Sequence, residues 1–162
     1  MMRADIQIEN GPRQDSREAF GFIYLSSDNR FAAPTRAYET TSYAEEAGEH
    51  IDPRTVEEAF DFKIAFATEV LTGQIENGVH VNTRVAAINN AMFSRDADSD
   101  ILTARRVTIY DLTKHRKITG IPKPIAEPRD EDIFYSHNQE FAVVELNLRV
   151  TDPKLCDFDF SD

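Results

Sequence analysis

The chain has 162 residues with 29 acidic against 18 basic side chains, a formal net charge of -11, and 41% hydrophobic residues including 11 Phe. That length suits one domain able to bury a core without disulfides or structural metal, and the apolar content excludes wholesale disorder. The charge excludes tight binding to phosphate backbones or anionic lipid heads, although an acidic lining would let a polyanion slide through a passage.

The first 18 residues, Met1 to Glu18, have no apolar stretch of the kind a secretory signal needs. Ile6 to Ile8 reads as a short strand, and after a turn-rich stretch Phe20 to Leu25 reads as an apolar strand or arm ending in the turn residues Ser26-Ser27-Asp28-Asn29. Residues 32–56 are polar and interrupted by Pro34, Gly48 and Pro53, which predicts a long loop with short extended pieces.

From Phe60 to Val70 the alternation is strict. Phe60, Phe62, Ile64, Phe66, Thr68 and Val70 fall on one face of a strand, with Asp61, Lys63 and Glu69 on the other. A turn with Gly73, Asn77 and Gly78 follows. Val81, Val85, Ile88 and Met92 then recur at helical spacing, predicting one helix to about Phe93 with Asn82 as its N-cap.

Two strands at Arg105 to Tyr110 and Arg116 to Ile121 flank a polar hairpin connection, Asp111 to His115. Pro122, Pro124 and Pro128 impose an extended path into an acidic loop. Ala142, Val144, Leu146, Leu148 and Val150 then alternate with polar residues in a second long strand. The order predicts a mainly β, α+β fold: an antiparallel sheet or open, split β-barrel flanked by a single α-helix, with an extended arm or hairpin. One domain over 1–162 is expected, with an N-terminal strand and loop at 1–18 and an acidic tail at 154–162.

Little in the sequence points to chemistry. His50, His80, His115 and His137 show neither i, i+4 helical spacing nor an HExxH pattern. Asp96, Asp98 and Asp100 mimic the start of a calcium loop, but Ile101 and Val107 stand where such a loop needs glycine and a bidentate glutamate. Glu45, Glu46, Glu49 and Asp52 could in principle serve as paired carboxylates for sugar hydrolysis, yet the chain has no Trp to form a sugar platform. Cys156, the only cysteine, has no histidine beside it in sequence and fits a reducing cytosol and equally a protein that never needed a disulfide. No catalytic residue, metal site or cofactor is expected, nor a membrane span, since about 18 consecutive apolar residues occur nowhere.

Four segments, in order, carry a resemblance: EEAGEHID at 45–52, FDFKIAFATEV at 60–70, NTRVAAINNAMF at 82–93, and VVELNLRVTDPKLCDF at 143–158, with VTIYDLTKHRKITGI between the last two. Together they resemble the N-terminal ring-forming domain of the distal tail and related tail-tube proteins of long-tailed bacteriophages. The resemblance implies a non-catalytic phage or prophage tail component, a split-barrel or β-sandwich subunit of a hexameric ring around the DNA path. Its implied partners are further copies of itself and other tail proteins, with DNA passing through the lumen without specific binding and no membrane contact. It implies synthesis in the bacterial host cytoplasm and residence in the virion tail. Because the sequence stops soon after Asp152-Pro153, no second, carbohydrate-module-like domain is expected. Phe20, Phe22, Tyr24 and Phe31, in the arm, are the candidate subunit-contact residues. The alternative reading is a small β-rich protein- or glycan-binding module.

Overall fold

The computed structural model describes residues 2–28, 40–41, 50–51, 58–136 and 139–156. In chain order it contains β1 (Ala4–Ile8), β2 (Gln14–Asp15), α1 (Ser16–Phe20), β3 (Phe22–Ser27), β4 (Thr40–Thr41), β5 (His50–Ile51), β6 (Phe60–Val70), α2 (Thr72–Glu76) and α3 (Val81–Met92). There follow β7 (Phe93–Arg95), β8 (Leu102–Ala104), β9 (Val107–Asp111), β10 (Arg116–Pro122), β11 (Phe134–Ser136) and β12 (Gln139–Val150).

The two long alternating segments pair with each other. β6 and β12 run antiparallel in unbroken register from Val70 opposite Glu140 to Phe60 opposite Val150. The even-numbered residues of both strands therefore share one face, where Phe62, Ile64, Phe66, Leu146 and Leu148 are buried. Around this pair the main sheet has the order β2-β1-β9-β10-β12-β6-β3, with β11 also pairing with β12. Every described pairing is antiparallel.

The β10–β12 junction is narrow, only Ile121 opposite Arg149 and Pro122 opposite Leu148. The β1-β9-β10 half folds over there, so that Ile6, Ile109 and Ile118 pack in one core with Phe62, Phe66, Leu146 and Leu148. Gly120 is required at this fold-over, because a Cβ would lie 2.9 Å from the Arg149 carbonyl oxygen. The sheet remains open, ending in β2 on one side and β3 on the other. β4–β5 and β7–β8 form two separate two-stranded sheets.

The expected antiparallel, open, mainly β architecture is thus present, but the expected single helix is not: the described residues contain three α-helices. α1 forms because the Asp15 carboxylate accepts hydrogen bonds from the N–H groups of Arg17 (2.9 Å) and Glu18 (3.2 Å). It stops at Gly21, whose φ of 73° is the left-handed conformation of a helix C-cap. The predicted Phe20–Leu25 strand is therefore divided between a helix end and β3. The Gly73 to Gly78 turn is instead the one-turn helix α2 and its exit.

α3 buries Val81, Val85, Ile88 and Met92, the four residues whose spacing predicts it. Its N-cap is His80 and not Asn82, which sits one residue inside the helix. The side chain that terminates the helix comes from a distant strand: the Glu140 carboxylate accepts from Val81 N–H at 2.9 Å and lies 2.7 Å from His80 Nδ1. No described helix is long and apolar enough to cross a membrane.

Candidate functional site

One buried polar cluster sits where β3 meets the β9–β10 hairpin. Asp111, predicted as part of a polar hairpin connection, is 1% exposed, as is Arg116. The Asp111 carboxylate accepts from Tyr24 Oη at 2.7 Å, Arg116 Nε at 3.2 Å and Lys114 N–H at 3.0 Å. Arg116 also donates to Ser27 Oγ (2.5 Å) and the Asp28 carbonyl (2.6 Å), and its guanidinium lies 5.1 Å from the centre of the Phe62 ring. Burial, and then the Asp111 acceptor, push the Tyr24 phenol up to about 12. This cluster clamps the edge strand β3 to the folded-over half of the sheet. The ions are matched and hydrogen-bonded across β3 and the β9–β10 hairpin, so the arrangement holds structure.

The two histidines whose side chains are described, His80 and His115, stand apart in different elements. His80 pairs with Glu140, and His115 occupies the hairpin turn at φ 51°. Of His50 only the backbone, in β5, is described, and His137 lies outside the described residues. Asp96, Asp98 and Asp100 fall in the β7–β8 hairpin, where Asp96 Oδ1 accepts from the Asp98 N–H at 3.1 Å. Among the described residues no three His, Cys, Asp or Glu side chains are placed to hold a metal ion. Glu45, Glu46, Glu49 and Asp52 lie outside the described residues.

The predicted contact residues occupy several environments. Phe22 and Tyr24 are buried in the core of their own chain, with the Phe22 ring stacked 5.8 Å from that of Phe66. Phe20 is half-buried against that core, and Phe31 lies outside the described residues. Among the described residues β3 is the last strand of its side of the sheet.

The strongest surface feature is one the sequence reading missed, around the β11–β12 hairpin. Phe134 is 66% exposed, Tyr135 59% and Val143 52%, and Phe141, paired in register with Phe134, is also exposed. Phe134, Phe141 and Val143 share the outer face of β11 and β12, whereas Tyr135, opposite Glu140, lies on the other face, and Ala67, opposite Val143 on β6, is buried. A cluster of exposed apolar side chains such as Phe134, Phe141 and Val143 is a candidate contact surface for another protein. The β12 signal was available, since Phe141 and Val143 are apolar on the otherwise polar face of that strand. β11 was hidden in an acidic, proline-rich stretch.

No protein-family model matches the chain. No curated protein matches it either. Among solved structures it is similar to the crystal structure of the SPP1 Dit protein, described as a paradigm of the hub adsorption apparatus in phages that infect Gram-positive bacteria. The match has a TM-score of 0.47 and 16% sequence identity, covering 93% of this chain and 50% of that one. This chain therefore spans about half the length of that structure.

Proposed function

We propose that this chain is a non-catalytic structural component of a phage or prophage tail, a subunit of a ring around the DNA path at the distal tail or in the tail tube. One observation carries the reading. The long strand, helix, hairpin and long strand on which the family resemblance rests are laid out in an open sheet that, among the described residues, ends at β3, and exposed apolar side chains stand on the outer face of β12. Unpaired strand edges and apolar faces are liabilities in a monomer and become interfaces in a closed ring. The net charge of -11 suits a lumen that DNA traverses without sticking.

Copies of the chain, six in the family's pattern, would meet at the β3 edge. Immunogold labelling of tailed particles from a host carrying this gene tests the assignment. Label at the distal end or along the tube is the expected result; unlabelled particles, with the chain free in the lysate, would overturn it. The exposed β11–β12 face also suits the second reading, a small protein-binding module, which predicts a monomer bound to a partner outside any virion.

A further inference from the structure

On the edge of β12 away from β6, β11 pairs only with Gln139–Phe141 and β10 only with Leu148 and Arg149. Between them lies a gap of about six residues, or about 20 Å. The Asn147 carbonyl points into this edge, accepting from Lys123 N–H at 3.0 Å. N–H and C=O directions alternate along a strand, so those of Val143 and Glu145 point the same way. Neither residue has a hydrogen-bond partner on that side among the described residues. The facing loop does not fill the gap. It is held down on α3, where the Asn89 side chain makes two 2.9 Å hydrogen bonds with the backbone of Ile125, and a cleft separates Pro124, Pro128 and Asp132 from β12.

We propose that this gap is a strand-addition site for an extended segment of another protein, apolar on one face and cationic on the other. The backbone of such a segment would pair with Val143 and Glu145. Its apolar side chains would continue the row of Phe134, Phe141 and Val143. Its cations would meet Glu127, Asp130 and Asp132, exposed carboxylates with no ion-pair partner among the described residues, whereas Arg129 is already bridged to Glu131 at 3.2 Å. A second copy of this chain, at a net charge of -11, meets this rim with like charge, so a cationic partner is the better complement. The proposal does not rest on the tail reading.

The test uses the full chain and a capped synthetic peptide alternating valine and lysine, with two controls: glutamate in place of lysine, and N-methylation along one edge. Binding is followed by calorimetry and by hydrogen exchange at single amides. The expected result is a complex with Kd on the order of 100 μM. In it the Val143 and Glu145 amides gain at least tenfold protection, and both controls bind at least tenfold more weakly. Val143→Lys, at an exposed side chain, should weaken binding by a similar factor without altering the fold.

Equal binding of the N-methylated peptide, protection at β3 in place of β12, or no binding at about 1 mM overturns the proposal. So does protection of Val143 and Glu145 by self-association alone, which would make the occupant a second copy. Light scattering on the same samples separates this outcome from the tail reading: peptide binding by a strict monomer upholds the site and removes the ring, and rings that ignore the peptide do the reverse.

Discussion

Replacing Asp111 by Ala removes a carboxylate that the buried Arg116 guanidinium faces, and strips acceptors from Tyr24 Oη and Lys114 N–H as well. Arg116 keeps Ser27 Oγ and the Asp28 carbonyl, but loses the Asp111 carboxylate at a site where it is 1% exposed. Breaking such a pair costs about 3–5 kcal/mol. With a urea dependence of about 2 kcal/mol per molar, the unfolding midpoint should fall by about 1.5–2.5 M. Tyr24→Phe deletes the hydrogen bond to the same carboxylate together with the one to Ser27 Oγ and should cost about 1.5–3 kcal/mol. The double variant Asp111→Leu/Arg116→Met, which removes both charges, should recover much of the loss. Urea unfolding followed by circular dichroism reads all three. A midpoint shift below about 0.5 M for Asp111→Ala would refute the view that this cluster clamps β3 to the β9–β10 hairpin.

Glu140 supplies a pH dependence. Burial raises its pKa, but the Val81 N–H and the His80 side chain overcome this and hold the carboxyl below its ordinary value. Its stabilisation is therefore present above the unfolded pKa and lost as pH falls through the folded one, so Glu140→Gln should flatten the acid limb of a stability-against-pH curve and cost about 1–2 kcal/mol at neutral pH. Tyr24 acts in the opposite direction: with its phenol pushed up to about 12, its contribution is complete below the ordinary value of 10 and is lost as pH rises through the folded one, which an ultraviolet titration should show as one late-ionising tyrosine. Asn89→Ala should cost about 1–3 kcal/mol in thermal unfolding by leaving the Ile125 backbone unpaired, and should raise hydrogen exchange in the loop beside β12. Gly120→Ala should cost a similar amount in the same assay, because its Cβ would press on the backbone of Arg149.

What the sequence made legible was set by periodicity. β6 begins and ends at the predicted residues, because eleven positions of alternation leave no second register that buries the same phenylalanines. α3 is capped two residues earlier than Asn82 predicts, for a reason no local pattern contains: its first N–H, that of Val81, meets Glu140, 59 positions away. Asp111 reads as a turn residue by composition, and only the approach of Tyr24, 87 positions away, makes it a buried acceptor. α1 is too short to show a helical period and depends on the Asp15 cap alone. The apolar outer surface was the harder loss, since Phe134 and Phe141 become neighbours only through the β11–β12 register. Phe20, Phe22 and Tyr24 showed the converse: an apolar run marks burial, and whether its partner is the chain's own core or a neighbour is decided by tertiary packing.

The claim at the centre of this account is that the chain assembles with itself into a closed ring. Multi-angle light scattering across a wide concentration range, followed by negative-stain imaging of the largest species, tests it most directly. The account predicts one discrete closed assembly, six copies around a central hole. A strict monomer at every concentration would contradict it and leave the protein-binding module as the better description.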